Sequence, residues 1–356
     1  MFTWIIVILV FSVLIIVHEA GHLFAAKKAG IKVEVFSVGM GKRLFGKKIG
    51  DTDYRISFIP LGGFCKMAGE DPYEAKGESY EFGAKPVGYR FWVIAAGSLT
   101  NYFFAFLLFS IIFMIGIPTL SNEVGQLLNG YPAQKAGVKV GDEIFSVNGV
   151  KVQYWDDIVN QIKKASFDTA RLELGIKREN SILKLEVEPE ISEVTNVFGQ
   201  KISRSVIGVA PANKILDVSY NPAAAVYHGA KRLIVLTGMT YKGIWLMLTG
   251  GVPIKTSVSG PIGIARLIGE AAGMGIVPLL VITAHINMAL AIFNLLPFPV
   301  LDGGHIIFLA FEKMKGRPIS IKVQEIMSYA AIALLISFML FVSWQDILKT
   351  PLFAGK

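Results

Sequence analysis

Four stretches of the 356-residue chain are apolar for long enough to cross a bilayer, which takes about 20 residues. They are 2–26, 91–118, 276–299 and 326–344, and the second contains no charged residue. A fifth stretch, 233–248, is shorter and is interrupted by Gly238, Lys242 and Gly243. It predicts an amphipathic helix lying on the membrane rather than a span. Between the first two spans, Ile31–Val38 and Tyr54–Ile59 alternate with period two, the latter running into Pro60-Leu61-Gly62-Gly63. Both predict half-buried strands. The pattern alone fits a small cytosolic hairpin as well as a sheet dipping toward the membrane interior.

The segment after the second span reads as a compact polar module. It opens with a strand at Val124–Leu128 and a short helix over Tyr131–Gly137. A turn, strand and turn follow over Gly141–Gly149, and then a helix over Trp155–Lys164 with Trp155, Ile158, Val159 and Ile162 on one face. Ala170–Lys177 and Ile182–Val187 predict a hairpin, and Val206–Val209 a closing strand. Beyond it, Lys231, Arg232, Lys242, Lys255 and Arg266 are interspersed with apolar turns and punctuated by Gly250-Gly251, Pro253 and Ser259-Gly260-Pro261. Helices bracing the module at headgroup level are expected there. The expected organisation is a membrane part over 1–120, a module over 121–215, interfacial helices over 216–275 and a second membrane part over 276–356. The fold class is a polytopic α-helical membrane protein with four transmembrane helices, a membrane-associated β-sheet on the cytoplasmic side and an inserted α/β domain.

Composition supports a membrane protein with a polar insert: 53% of residues are hydrophobic and the mean hydropathy is +0.53. The formal charge of +8 could suggest nucleic acid. The basic residues, however, cluster beside the spans and no nucleic-acid-binding signature is present, so lipid is the expected partner. Lys27, Lys28, Lys32, Lys42, Arg43, Lys47 and Lys48 follow the first span, and Lys313, Lys315, Arg317 and Lys322 the third. These loops belong on the cytoplasmic side of a bacterial inner membrane, which puts both termini and the module in the periplasm. The N-terminal stretch lacks a basic leader and carries ionisable residues, so it is expected to be retained. The lone Cys65 excludes an internal disulfide and a Cys-rich metal site.

The first span ends in His18-Glu19-Ala20-Gly21-His22. An ionisable group at membrane depth costs about 2.5 kcal/mol or more, so three together point to a function. Histidines at i and i+4 share one helix face and can reach one metal ion, with Glu19 beside the first as a general base. Catalytic zinc takes three protein ligands and a water. Asp302, in Asn294-Leu-Leu-Pro297-Phe-Pro299-Val-Leu-Asp302-Gly-Gly-His305, is the strongest third candidate. Pro297 and Pro299 break the helix there, and broken backbone at membrane depth has to line a cavity or pack on protein. His18 lies about 25 Å along the first helix, toward the same side as Asp302. An ordinary helix-end turn is the plain alternative for Asp302-Gly303-Gly304, and His305 is a rival ligand. His285 lies near the opposite face and His228 in the periplasmic part. Gly97 and Asn101, one turn apart in the second span, read as helix contacts.

These motifs resemble those of the site-2 proteases, intramembrane zinc metalloproteases, of the RseP-like bacterial type. The match is carried by His18–His22, Asn294–Gly303, Ala96–Asn101, Ser259–Gly263 and the module, whose order of elements resembles a PDZ domain. The resemblance implies a zinc cofactor held by His18, His22 and Asp302, with Glu19 activating water. It implies that Asn294 and the break at Pro297 and Pro299 position substrate. It also implies that the sheet around Ile56, Phe58, Gly62 and Gly63 offers an edge to an unwound segment. Substrates would be single-span proteins such as anti-sigma factors, or signal-peptide remnants, in regulated intramembrane proteolysis. Only one PDZ-like module is found where some relatives have two; it either captures a peptide ligand or excludes untrimmed substrates by size. A non-catalytic metal-binding scaffold recruiting partners through the module is the alternative, and Glu19 speaks against it. An ion transporter lacks support, since the second and fourth spans carry no ionisable pathway.

Overall fold

The computed structural model describes residues 2–165, 171–196, 198–253 and 257–348. Ala170 and Lys255 therefore lie outside the described residues. The first half of the chain runs α1 (Phe2–Lys28), β1 (Val33–Ile49), β2 (Thr52–Met67), α2 (Val87–Ile115), β3 (Ile117–Leu120), β4 (Val124–Leu127), α3 (Pro132–Lys135), β5 (Glu143–Val147), β6 (Val150–Lys151) and α4 (Trp155–Ala165). Then follow β7 (Leu172–Arg178), β8 (Ser181–Val187), β9 (Glu190–Thr195), β10 (Lys201–Val206), β11 (Val209–Pro211) and β12 (Ile215–Val218). The last part is helical: α5 (Pro222–Leu248), α6 (Pro261–Met274), α7 (Ile276–Asn294), α8 (Asp302–Lys315) and α9 (Ile321–Leu348). Among the described residues, four helices are long and apolar enough to cross a membrane: α1, α2, α7 and α9. The chain divides into two compact units, residues 1–112, 222–242 and 254–356 in one, 113–221 and 243–253 in the other.

In the first unit α1 is the hub. Val7, Val10 and Leu14 are buried against Ala265 and Ile268 of α6, with Leu279, Ile282, Ile286 and Leu290 of α7 closing the cluster. Lipid tails are as apolar as these side chains, so close packing and polar ties, not water exclusion, hold such helices together. Two ties are visible: the Tyr102 and Thr237 hydroxyls hydrogen-bond at 2.8 Å between α2 and α5, and Gly263 N–H of α6 donates to Asp346 of α9 at 2.7 Å. The third span ends at Asn294, five residues before the predicted limit, because the turn leading to Pro297 closes it. The stretch 233–248 forms the second half of the 27-residue α5, whose Ala225, Gly229 and Leu233 make one buried stripe.

The sheet is larger than the alternation predicted. β1 and β2 are long ribbons that bend where Gly39, Gly41 and Gly62 adopt positive φ. Each therefore pairs twice: Val35 stands opposite both Lys66 and Asp53, and Ile56 opposite both Val38 and Phe45. Ala26, Ile31, Val33, Cys65, Met67 and Val93 form the core that fastens this sheet to α1 and α2.

The second unit is built on the four-stranded sheet β6-β5-β7-β8, with α4 laid across it. Trp155, Ile158 and Ile162 pack into a core with Val124, Ile144, Leu172, Leu174 and Ile176. The closing strand lies at Val209–Pro211, paired with β4, and not at Val206–Val209; Gly208, with φ of 79°, separates it from the hairpin β9–β10. Asp142 is 1% exposed and accepts from Arg178 at 2.7 and 2.8 Å and from Lys139 N–H at 2.8 Å. Burial alone raises its pKa, but these bonds outweigh burial and hold the carboxyl below the usual carboxylate range.

Candidate metal centre

The last three turns of α1 carry His18, Glu19 and His22, and α8 begins at Asp302. Between Asn294 and Asp302 the chain makes successive tight turns, Phe298 N–H donating to Leu296 O at 2.7 Å and Leu301 N–H to Phe298 O at 2.9 Å. The start of α8 is thereby folded back on the turn, so closely that a side chain at Gly303 or Gly304 would collide with the backbone of Leu295–Phe298. The helix-end turn and the placement of Asp302 are one device. Asp302 also sits in the first turn of its helix, where the dipole favours negative charge.

His18, His22 and Asp302 come together, with one donor atom of each within 4.8 Å of the others. His18 Nε2 and His22 Nε2 are 3.1 Å apart. Asp302 Oδ2 is 3.4 Å from His18 Nε2, and Oδ1 is 3.7 Å from His22 Nε2. Ligands about 2.0–2.1 Å from a tetrahedral zinc stand about 3.3 Å from one another, so this donor set fits that ion. His305 and His285 are not part of the cluster. His305 stacks edge-on with Phe308, while His285 Nδ1 bonds Val281 O at 2.7 Å and its ring meets Phe109. His228 is half-buried beside the Tyr227 ring.

The chain matches Peptidase family M50 over residues 6–338. It is 34% identical over 344 residues to a putative zinc metalloprotease of Campylobacter jejuni, covering 96% of this chain and 92% of that one. It is 33% identical over 345 residues to a putative zinc metalloprotease of Clostridium perfringens, with 96% and 97% covered. The regulator of sigma-W protease RasP of Bacillus subtilis matches at 29% identity over 420 residues, with 96% and 97% covered. The chain belongs to peptidase family M50, the site-2 proteases. It is a zinc metalloprotease of that type, and a bacterial membrane protein. Among solved structures it is similar to the PDZ domain of an SdrC-like protein from Listeria monocytogenes, over 26% of this chain and 86% of that one, at 13% identity and TM-score 0.20. A score that low bears no argument.

In this M50 chain the other expected site residues fall as follows. Gly63 lies beside Glu19: a side chain at 63 would meet Glu19 Cγ at 3.5 Å and Ile15 Cγ2 at 3.2 Å. Ser12 Oγ donates to Pro60 O at 3.2 Å, so β2 runs along α1 toward the histidines. Ile56 is paired on both sides, so its backbone is not a free edge; the segment Gly63–Met67 pairs only with Val33–Val38 among the described residues. Phe58 is 69% exposed in the stretch facing Met40–Arg43. Asn294 closes α7, and Pro297 and Pro299 stand in the turn after it. Burial, with the Glu19 and Glu70 carboxylates adding, pushes the Cys65 thiol up to about 12.

Spacing gave no warning of α2's part. Val93 O is 2.8 Å from His22 Nδ1, Ser98 Oγ donates to Asp302 Oδ2 at 2.9 Å, and Asn101 Nδ2 is 3.4 Å from His18 Nδ1. Gly97 lies under both rings. The Gly97-Asn101 pair, read as helix contact, packs against the two histidines of the cluster.

Proposed function

We propose that the protein hydrolyses peptide bonds within or beside transmembrane segments of single-span membrane proteins, with His18, His22 and Asp302 as the zinc ligands and Glu19 as the general base. The convergence of donors from α1 and α8, over 270 residues apart in sequence, carries this reading. When bound, zinc supplies a Lewis acid and brings the pKa of a water molecule toward about 7. The Glu19 carboxylate takes a proton from the attacking water and returns it to the amide nitrogen of the leaving strand.

A peptide bond in a helix is shielded, so cleavage needs local unwinding, and the freed N–H and C=O groups need partners in lipid. The side of Gly63–Lys66 not paired with β1, beside Glu19, supplies them by strand addition. Ile56 and Phe58 present apolar side chains to the unwound segment, and Asn294, with the turn at Pro297 and Pro299, fixes it from the other side. The Lys- and Arg-rich loops support a site toward the cytoplasm with both termini in the periplasm. In this organisation 1–120 and 276–356 form the membrane parts, 216–275 the interfacial helices and 121–215 a PDZ-like periplasmic module that keeps untrimmed substrates out by size. Anti-sigma factors and signal-peptide remnants are the substrate class, in keeping with a relative named as a regulator of sigma-W.

The test is Glu19→Gln in the full-length protein with a model single-span substrate. Cleavage is expected to vanish while bound zinc stays at one per chain; cleavage at the native rate would remove Glu19 from the mechanism.

A further inference from the structure

α2 carries no charged residue after Arg90, yet its face at 93, 97, 98 and 101 touches all three candidate metal donors. These positions, at i, i+4, i+5 and i+8, lie on one side of the helix. Asn101 is the informative member. It is fully buried, with its Nδ2 3.4 Å from His18 Nδ1, while its Oδ1 has no partner. A buried amide oxygen without a donor is costly, more so in a membrane. The two amide atoms are nearly equal in size, so a half-turn about Cβ–Cγ changes no packing. That half-turn sets Oδ1 against His18 Nδ1 and satisfies the oxygen.

We infer that Asn101 is a positioning residue for His18: its amide oxygen accepts the Nδ1–H of the ring and so presents the Nε2 lone pair to the metal. The inference rests on the metal-site reading above. His22 is held by a backbone oxygen, with Nδ1 against Val93 O; the His18 ring also meets the Gly97 backbone, so Asn101 acts there beside a carbonyl, and Ser98 anchors one oxygen of Asp302. One helix face without a charge thus orients every ligand. Asn287 holds the turn in place by donating from Nδ2 to the Asn101 carbonyl at 2.7 Å. An asparagine serving only as glue between helices would bond a neighbouring backbone; the Asn101 side chain faces an imidazole instead. Outer-shell partners of this kind change metal affinity about 10- to 100-fold.

The experiment uses the full-length protein in detergent, with zinc affinity measured by chelator competition and ligand geometry by the absorption spectrum of the cobalt-substituted form. Asn101→Leu keeps the volume and removes the acceptor; it is expected to weaken zinc binding about 10- to 100-fold and to shift the cobalt bands. Asn101→Asp keeps the acceptor and is expected to retain the native spectrum and near-native affinity. Native affinity with an unshifted spectrum in Asn101→Leu overturns the inference, as does an equal loss in both variants, which marks packing alone. Should the variants fail to fold, the zinc-loaded wild-type protein labelled with 15N in histidine and asparagine decides: His18 must show a protonated Nδ1 whose proton couples to or lies against the Asn101 side-chain amide, and an Nδ1 proton without that contact overturns the inference. Asp302→Ala is the control for the parent reading, since undiminished zinc affinity there removes the site itself.

Discussion

Gly97→Ala separates metal binding from stability. A Cβ at 97 would stand 2.7 Å from His22 Cε1 and 2.8 Å from His18 Cε1, and closer still to His22 Nε2. Carbon atoms pack comfortably at about 3.5 Å, so each ring has to retreat by about 0.8 Å. A metal site holds its ligand distances within about 0.2 Å. The displaced rings can no longer share one ion, and zinc affinity is expected to fall at least about 100-fold, or about 2.8 kcal/mol. The fold suffers less: alanine gains about 1 kcal/mol over glycine in a helix, set against about 1–3 kcal/mol for overpacking. The metal-free protein is therefore expected to melt within a few degrees of wild type, while chelator competition and substrate cleavage both collapse. Gly88→Ala, on the same helix with nothing within 4 Å of the new Cβ, is the control and should keep full affinity. Native zinc affinity in Gly97→Ala would show that the rings do not lie against α2, and the account of the site would fail with it.

Two further outcomes follow from ion pairs outside the centre. Arg90, at the start of α2, holds Glu312 of α8 through two hydrogen bonds, one of 3.0 Å, in a half-buried setting. Arg90→Ala should cost about 1–3 kcal/mol and loosen the helix that presents Asp302, read as a lower melting temperature; no change would place the pair among inert surface contacts. In the second unit, Asp142→Asn should cost about 1–3 kcal/mol at neutral pH, measured by hydrogen exchange of the β7 amides. Because the folded carboxyl titrates below its unfolded value, its stabilisation is complete above the ordinary carboxylate range of about 4 and is lost as pH falls through the lowered value. The gap between wild type and variant should therefore close in acid. A gap that widens there would contradict the ion pair.

Much of the membrane architecture was legible because the bilayer imposes a long, simple pattern. The four apolar stretches became α1, α2, α7 and α9 with ends displaced by a few residues. The paired histidines were legible because helical periodicity puts i and i+4 on one face whatever surrounds them. The sheet was legible only as two short strands. Its doubled pairing depends on bends at Gly39, Gly41 and Gly62, and a bend leaves no trace in an alternation pattern. The break between α7 and α8 was marked by Pro297 and Pro299, whereas the fold-back that needs Gly303 and Gly304 was not.

The chain's own chemistry determined that two imidazoles and a carboxylate would sit together in an apolar helix, and that a helix-breaking turn near the other end would carry an aspartate. Only the tertiary structure decided that Asp302 meets both histidines and that His305 does not, because contact between distant segments is set by packing and not by spacing. The same holds for α2. Ser98 and Asn101 are ordinary small and amide residues in sequence, and they acquire a role only when the fold lays that face of the helix against the imidazole rings.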